Sequence, residues 1–352
     1  MKKQIMFMAM AAMLIASCSS DDVVSTNTGR AIDFRTSVGT RGAETTTDNI
    51  TKFWVTAIDE AGANYFSKQE YKKEGEFFTS TPLYYWPVGT LNFFAYSPSE
   101  TDLGATVTIN KDTKTLADFS PAAEIANQKD FVTATASGTR AANEPKGVKL
   151  TFAHQLSQIE IKAKNTNTGY IYKVVGVRIG KPVSKGTFTF STNTWSLTTT
   201  EKANYAVEYT TDPRTLTADA ATMMGAANDN AMLLPQQLVA WTPETDKANT
   251  NKGAYIALKI QITTKDGARV YPAKAKGDYD WAAVAINTKW EAGKKYVYTL
   301  DFSAGAGKVD PEKPEPTDPT DPFKPGEDIL GKPIKFTVTV TPWAPADQPV
   351  KM

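Results

Sequence analysis

The sequence predicts an all-β chain built as two β-sandwich domains. Three observations predict it. Short segments alternate apolar and polar side chains between turn residues, and Thr, Val, Tyr and Phe recur as suits half-buried pleated surfaces. No amphipathic helix of any length interrupts them, although a short one fits within Ala122 to Gln128. No repeat of fixed period marks a solenoid or propeller.

The chain opens with Lys2 and Lys3, an apolar run from Ile5 to Ile15, and the small-residue site Ile15-Ala16-Ser17-Cys18. A charged start, a short apolar run and small residues describe a secretory signal, residues 1–17, and the run is too short to span a bilayer as a helix. A cysteine directly after such a site resembles the lipobox of bacterial lipoproteins, in which the thiol is acylated and becomes the mature N-terminus. Cys18 would then anchor the protein to a membrane without embedding it. Residues 18–30 form the tether, and Ser19-Ser20-Asp21-Asp22 reads either as a surface-export signal or as a solvated link.

Cleavage removes two lysines and no acid, so the mature chain stays close to neutral, and nothing suggests nucleic acid. Cys18 is the only cysteine, so no intramolecular disulfide is available and the core must supply the stability. The first domain is placed at residues 31–147, with strands at Phe53 to Ile58 and Leu91 to Tyr96. The loop Ser137 to Gly147 is taken as the boundary. The second domain, residues 148–307, carries strands at Val148 to Ala153, Gln158 to Ala163, Gly186 to Phe190, Ala254 to Ile262 and Lys295 to Phe302.

Between Lys308 and Gly331, prolines at 311, 314, 316, 319, 322 and 325 alternate with acids. Such a segment cannot pack a core. As polyproline II at about 3.1 Å per residue, its residues 308–326 could reach on the order of 60 Å, so 308–331 reads as a semi-rigid spacer. Beyond it, in residues 332–352, Ile334, Phe336, Val338 and Val340 share one face of a strand. A lone strand is unstable in water, so this one must pair with a sheet of its own domain or of another molecule.

The other end offers a matching piece. Ile32, Phe34, Thr36 and Val38 alternate with Asp33, Arg35 and Ser37, and the stretch closes with Gly39-Thr40-Arg41-Gly42. Two arrangements fit. Both strands can sit permanently in their own domains. Alternatively, cutting after Arg41 frees the first strand and leaves a groove for the last strand of a neighbouring subunit, a form of β-augmentation.

The chain resembles the fimbrillin family, the subunits of type V pili and their Mfa-like relatives. The carriers are the lipobox ending at Cys18, the strand with Thr40-Arg41-Gly42, Tyr84-Tyr85-Trp86-Pro87, Phe93-Phe94-Ala95-Tyr96-Ser97-Pro98 and Leu150-Thr151-Phe152-Ala153-His154-Gln155-Leu156-Ser157. Met232-Leu233-Leu234-Pro235-Gln236, Trp290-Glu291-Ala292-Gly293-Lys294-Lys295-Tyr296 and Phe336-Thr337-Val338-Thr339-Val340-Thr341-Pro342-Trp343 follow in order. The resemblance implies transthyretin-like, Greek-key sandwiches, export as a lipoprotein to the outer membrane and cell surface, and partnership with other pilin subunits. It also implies a trypsin-like protease that cuts after an arginine to release the first strand, here Arg41 before Gly42. Arg30 precedes that strand and Arg35 lies within it, which suits neither to processing. The terminal donor strand points to a stalk subunit, with a non-polymerising anchor or tip subunit as the alternative.

Competing chemistry is sparse. His154, the only histidine, cannot build a multi-histidine metal site. Asp278 and Asp280 lack the spacing of a calcium loop. No catalytic constellation, cofactor motif or metal site is expected, and an enzyme is not. Tyr84, Tyr85, Trp86, Trp195, Trp241 and Trp290 offer the main rival reading, a surface lipoprotein that stacks glycan rings, and a host or glycan ligand is kept open on that account.

Overall fold

The computed structural model describes residues 30–38, 50–225, 230–243, 253–273, 277–313 and 323–343. Among them regular structure is almost wholly strand. Helix is confined to α1 (Glu100–Leu103), α2 (Arg140–Asn143) and a 3-10 turn at Ile125–Asn127, the last inside the stretch expected to hold a short helix.

The first lobe is one sheet closed on itself. It comprises β1 (Phe34–Val38), β2 (Lys52–Asp59), β3 (Asn64–Glu74), β4 (Phe77–Ser80), β5 (Thr90–Ser97), β8 (Val132–Thr139) and β9 (Val148–His154), in the order β1-β4-β3-β2-β5-β8-β9. Closure joins the faces of the expected sandwich edge to edge, β1 meeting β4 at Phe34↔Phe78 and β8 meeting β9 at Val132↔His154 and Thr133↔Ala153. Alternation supplies the filling: Phe53, Val55 and Ala57 of β2, Leu91, Phe93 and Ala95 of β5, and Val148, Leu150 and Phe152 of β9 are all buried.

The second lobe is a two-layer sandwich. One layer runs β16 (Ala221–Met224), β10 (Ser157–Lys164), β21 (Lys294–Asp301), β23 (Lys335–Pro342), with β17 (Ala231–Leu233) also on β10. The other runs β14 (Lys202–Glu208), β11 (Tyr170–Val183), β18 (Tyr255–Thr264), β20 (Asp280–Ala285), β22 (Lys308–Val309), with β15 (Arg214–Thr215) on β11 and β19 (Arg269–Tyr271) on β18. A small sheet, β13 (Thr194–Leu197), β12 (Gly186–Thr189), β7 (Lys114–Phe119), β6 (Thr106–Ile109), joins a hairpin of each lobe, and its core includes Leu116, Phe119, Phe131, Phe188 and Phe190.

Two expectations change. The boundary does not fall at Ser137 to Gly147, because β9 closes the first barrel, parallel to β1 and antiparallel to β8. The chain crosses to the second lobe at Gln155 and Leu156. Alternation over Val148 to Ala153 shows which face is buried, but it carries no information on which sheet the strand joins.

The stretch 308–331 is also no free spacer over its whole length. Val309 pairs with Ala282 and is buried, and Phe323 packs on Tyr271 with ring centroids 4.9 Å apart. Its two feet lie side by side, since Val309 N donates to Glu327 O (2.8 Å) and Ile329 N to Gly307 O (3.0 Å). Residues 314–322 lie outside the described residues. A buried ion pair between Arg178 and Asp310 fixes the first foot, with the guanidinium over the Trp281 ring at 4.5 Å. Lys313 adds a 3.0 Å bridge to Asp280 and Lys181 a 3.1 Å bridge to Glu312. These contacts overcome the poor packing of a proline-rich stretch. Asp310→Ala leaves the Arg178 charge buried and unpaired, and is expected to destabilise the subunit by about 3–5 kcal/mol, read as a lower urea midpoint at unchanged m-value.

Candidate functional site

The two end strands have the same alternation and opposite depths. β1 is a stave of the barrel. It pairs in parallel with β9 from Phe34↔Val148 to Val38↔Phe152, and meets β4 at Phe34↔Phe78. Ile32 and Phe34 are buried, and Phe34 sits edge-on to Tyr71, Phe93 and Phe53 with centroids 4.7, 5.2 and 5.9 Å away. Ile32 N donates to Tyr84 O at 2.7 Å, which pins the mouth of the strand. Beside it, Arg30 bridges Asp33 at 2.9 Å, and the guanidinium groups of Arg30 and Arg35 each lie 4.4 Å from the Phe77 ring centroid. Burial pushes the Asp33 carboxyl above its ordinary range, against the pull of Arg30 and Arg35. Removing β1 would open a slot between β4 and β9 and strip one wall from the aromatic cluster around Phe34.

β23 pairs antiparallel with β21 along its whole length, from Lys335↔Asp301 to Pro342↔Lys294. The strand is therefore held by its own second lobe, as the edge of the sheet. Its hold is shallow. Ile334 is buried just before it, Phe336 and Val338 are half-buried, and Val340 is 49% exposed.

What locks the end of β23 is a residue beyond the alternation. Trp343 is 0% exposed, its backbone N–H donates to Gly293 O at 2.9 Å, and its ring stacks on His154 at 4.4 Å and 12°. His154 Nδ1 lies 2.8 Å from Asp130 Oδ2, in a site with no exposed side chain on either partner. The lone histidine is thus a packing residue at the junction of the lobes. Sequence reasoning took Trp343 only as part of a closing motif, because nothing local signals a contact between the last strand and the end of β9.

Of the expected site residues, Ile32 and Phe34 line the barrel, Val38 is paired to Phe152, Phe336, Val338 and Val340 alternate along β23, and Ile334 directly precedes it. Cys18, Arg41 and Gly42 lie outside the described residues. Of the aromatics considered for glycan stacking, three are built into the core, and Tyr84, Tyr85 and Trp195 are half-buried. Trp86, Trp241 and Trp290 are buried, Trp290 Nε1 donates to the Tyr298 hydroxyl (2.9 Å), and Trp195 Nε1 donates to Gln155 O (2.8 Å). Asp278 is bridged by Arg269 at 3.1 Å and Asp280 by Lys313, so neither presents a bare carboxylate. Among the described residues no group of three or more His, Cys, Asp or Glu is placed to hold a metal ion.

Known proteins share the fold and the family of this chain. The fimbrium subunit Fim1C of Phocaeicola vulgatus is 25% identical over 368 residues, covering 89% of this chain and 95% of that protein. A fimbrial protein from Bacteroides vulgatus shares the fold at a TM-score of 0.57 and 14% identity, over 90% of this chain and all of the other. A proposed cell adhesion protein from Parabacteroides distasonis matches at 0.51 and 10% identity, over 91% of this chain and 99% of the other. The fimbrillin-like family matches residues 39–343, from just after β1 to Trp343. The chain belongs to the fimbrillin-like family and is a structural protein, not an enzyme.

Proposed function

We propose that this chain is a cell-surface pilus subunit, exported to the outer membrane through acylated Cys18, cut after Arg41 by a trypsin-like protease, and polymerised when β23 of one copy fills the slot left by β1 of the next. One observation carries the reading. Ile32-x-Phe34-x-Thr36-x-Val38 and Ile334-x-Phe336-x-Val338-x-Val340 superpose position by position and in the same direction. The donor can therefore enter parallel to β9, placing Phe336 in the aromatic cluster of Phe34.

Depth supplies the driving force. In its own lobe β23 leaves Phe336 and Val338 half-buried and Val340 exposed. Burying them fully gains on the order of 4 kcal/mol gross, at about 1.5–3 kcal/mol for each complete burial. Ordering and docking offset part of that gain.

Topology supplies the direction. β10 leaves the junction directly after β9, β21 runs parallel to β10, and β23 returns antiparallel, so the start of β23 lies at the far end of the second lobe. β1 runs parallel to β9 toward the junction, so its mouth at Ile32 lies at the far end of the first lobe. A strand swinging out from one end thus enters at the opposite end of the next copy. Such a contact is heterologous and builds an open filament.

Register gives a direct test. Thr337 would take the place of Arg35, opposite Lys149. After processing removes Cys18, one copy carrying Lys149→Cys and another carrying Thr337→Cys are expected to form an interchain disulfide, which neither can form alone. Absence of that product in a processed mixture would contradict the exchange. The cis pairing of β23 favours a second reading, an anchor or tip subunit that keeps both strands at home, and this result is what that reading predicts.

A further inference from the structure

We infer that the pocket around His154 is a socket for an indole donated in turn by two different chains: a subunit's own Trp343 before strand exchange, and the incoming neighbour's Trp343 after it. The inference rests on the strand-exchange reading and adds a binding site to it.

Register fixes where the donor strand ends. β1 pairs with β9 so that Val38 faces Phe152, and His154 is the last residue of β9. If β23 replaces β1 with Ile334 at Ile32 and Val340 at Val38, Pro342 of the donor arrives beside His154 and Trp343 one residue further, level with Gln155. The donor's indole is thereby delivered to the junction end of the acceptor barrel. Trp343 of the same chain already occupies that end, stacked on His154 at 4.4 Å and fully buried.

The two occupancies do not compete. A subunit that donates β23 withdraws its own Trp343 and empties its socket in the same step, and the copy that fills its slot brings another indole to the same place. Chemistry supports a reusable seat. The indole is held by stacking and by the apolar cluster of Leu156, Phe190, Met232 and Leu234, and among the described residues its Nε1 hydrogen makes no hydrogen bond. Nothing polar ties it to one approach. An empty socket would leave His154 and Asp130 facing a cavity the size of an indole, and buried large-to-small truncations of this kind are costly. Refilling it in the polymer restores the junction, so exchange loses nothing there.

The test uses the processed full chain carrying Phe336→Asp, which keeps it monomeric with its slot open, together with Trp343→Ala, which empties its socket, and a fluorescent peptide of residues 333–346 with either Trp or Ala at position 343, read by anisotropy. Melting curves first establish that the Trp343→Ala subunit is folded, and Trp343→Leu replaces it if it is not. The tryptophan peptide is expected to bind at least tenfold tighter than the alanine peptide. Adding His154→Ala to the subunit is expected to erase most of that ratio, and the Phe336→Asp subunit that keeps Trp343, whose own indole fills the socket, is expected to show a smaller one. Equal affinity of the two peptides, or a ratio indifferent to His154, would overturn the socket while leaving strand exchange intact. If neither peptide binds, strand exchange itself fails, and the socket with it.

Discussion

Phe336→Asp is expected to yield a folded monomer that no longer polymerises. In its own lobe Phe336 is half-buried on an edge strand, 6.1 Å from the Tyr298 ring, where a carboxylate can turn toward solvent at a cost of about 1–2 kcal/mol. In the slot the same position falls on Phe34, which is fully buried among Tyr71, Phe93 and Phe53. A carboxylate there has no cation among its neighbouring rings and costs several kcal/mol. Assembly should fall by a hundredfold or more, since each 1.4 kcal/mol is a factor of ten. Light scattering of processed protein reads the assembly and a thermal melt reads the fold. Polymerisation at the unaltered rate would show that Phe336 does not enter the slot.

The complementary change acts only before processing. Phe34→Ala removes the centre of the aromatic cluster and is expected to destabilise the uncut subunit by about 3–5 kcal/mol. Once β1 has been released, the residue is gone, and the polymer should match the unaltered one in resistance to denaturant. Phe34 and Phe336 would thus fill one site at two stages. A polymer weakened by Phe34→Ala would mean that β1 stays in place.

Much of this was legible in the residues. The period-2 alternation of Ile32 to Val38 and of Ile334 to Val340 announced two end strands of similar apolar pattern, and Thr, Val, Tyr and Phe in short runs announced the all-β class. The pattern gave the inward face of each strand but not its neighbours, so β9 was assigned to the wrong lobe and the depth of β1 against the shallowness of β23 stayed hidden. Proline spacing misled at 308–331, because the ion pair of Arg178 with Asp310 joins residues far apart in sequence and no local rule foresees it. The same holds for Trp343 on His154: one lone aromatic and one lone histidine carry no mutual signal until two strands place them together.

Strand exchange requires that β1 be removable and that β23 replace it. Limited trypsin digestion of the protein starting at Ser19, followed by intact mass and unboiled denaturing gels, tests it most directly. Cleavage after Arg41, loss of the first strand and a ladder of multimers that collapses on boiling are expected. A subunit clipped after Arg41 that stays monomeric at high concentration would contradict it.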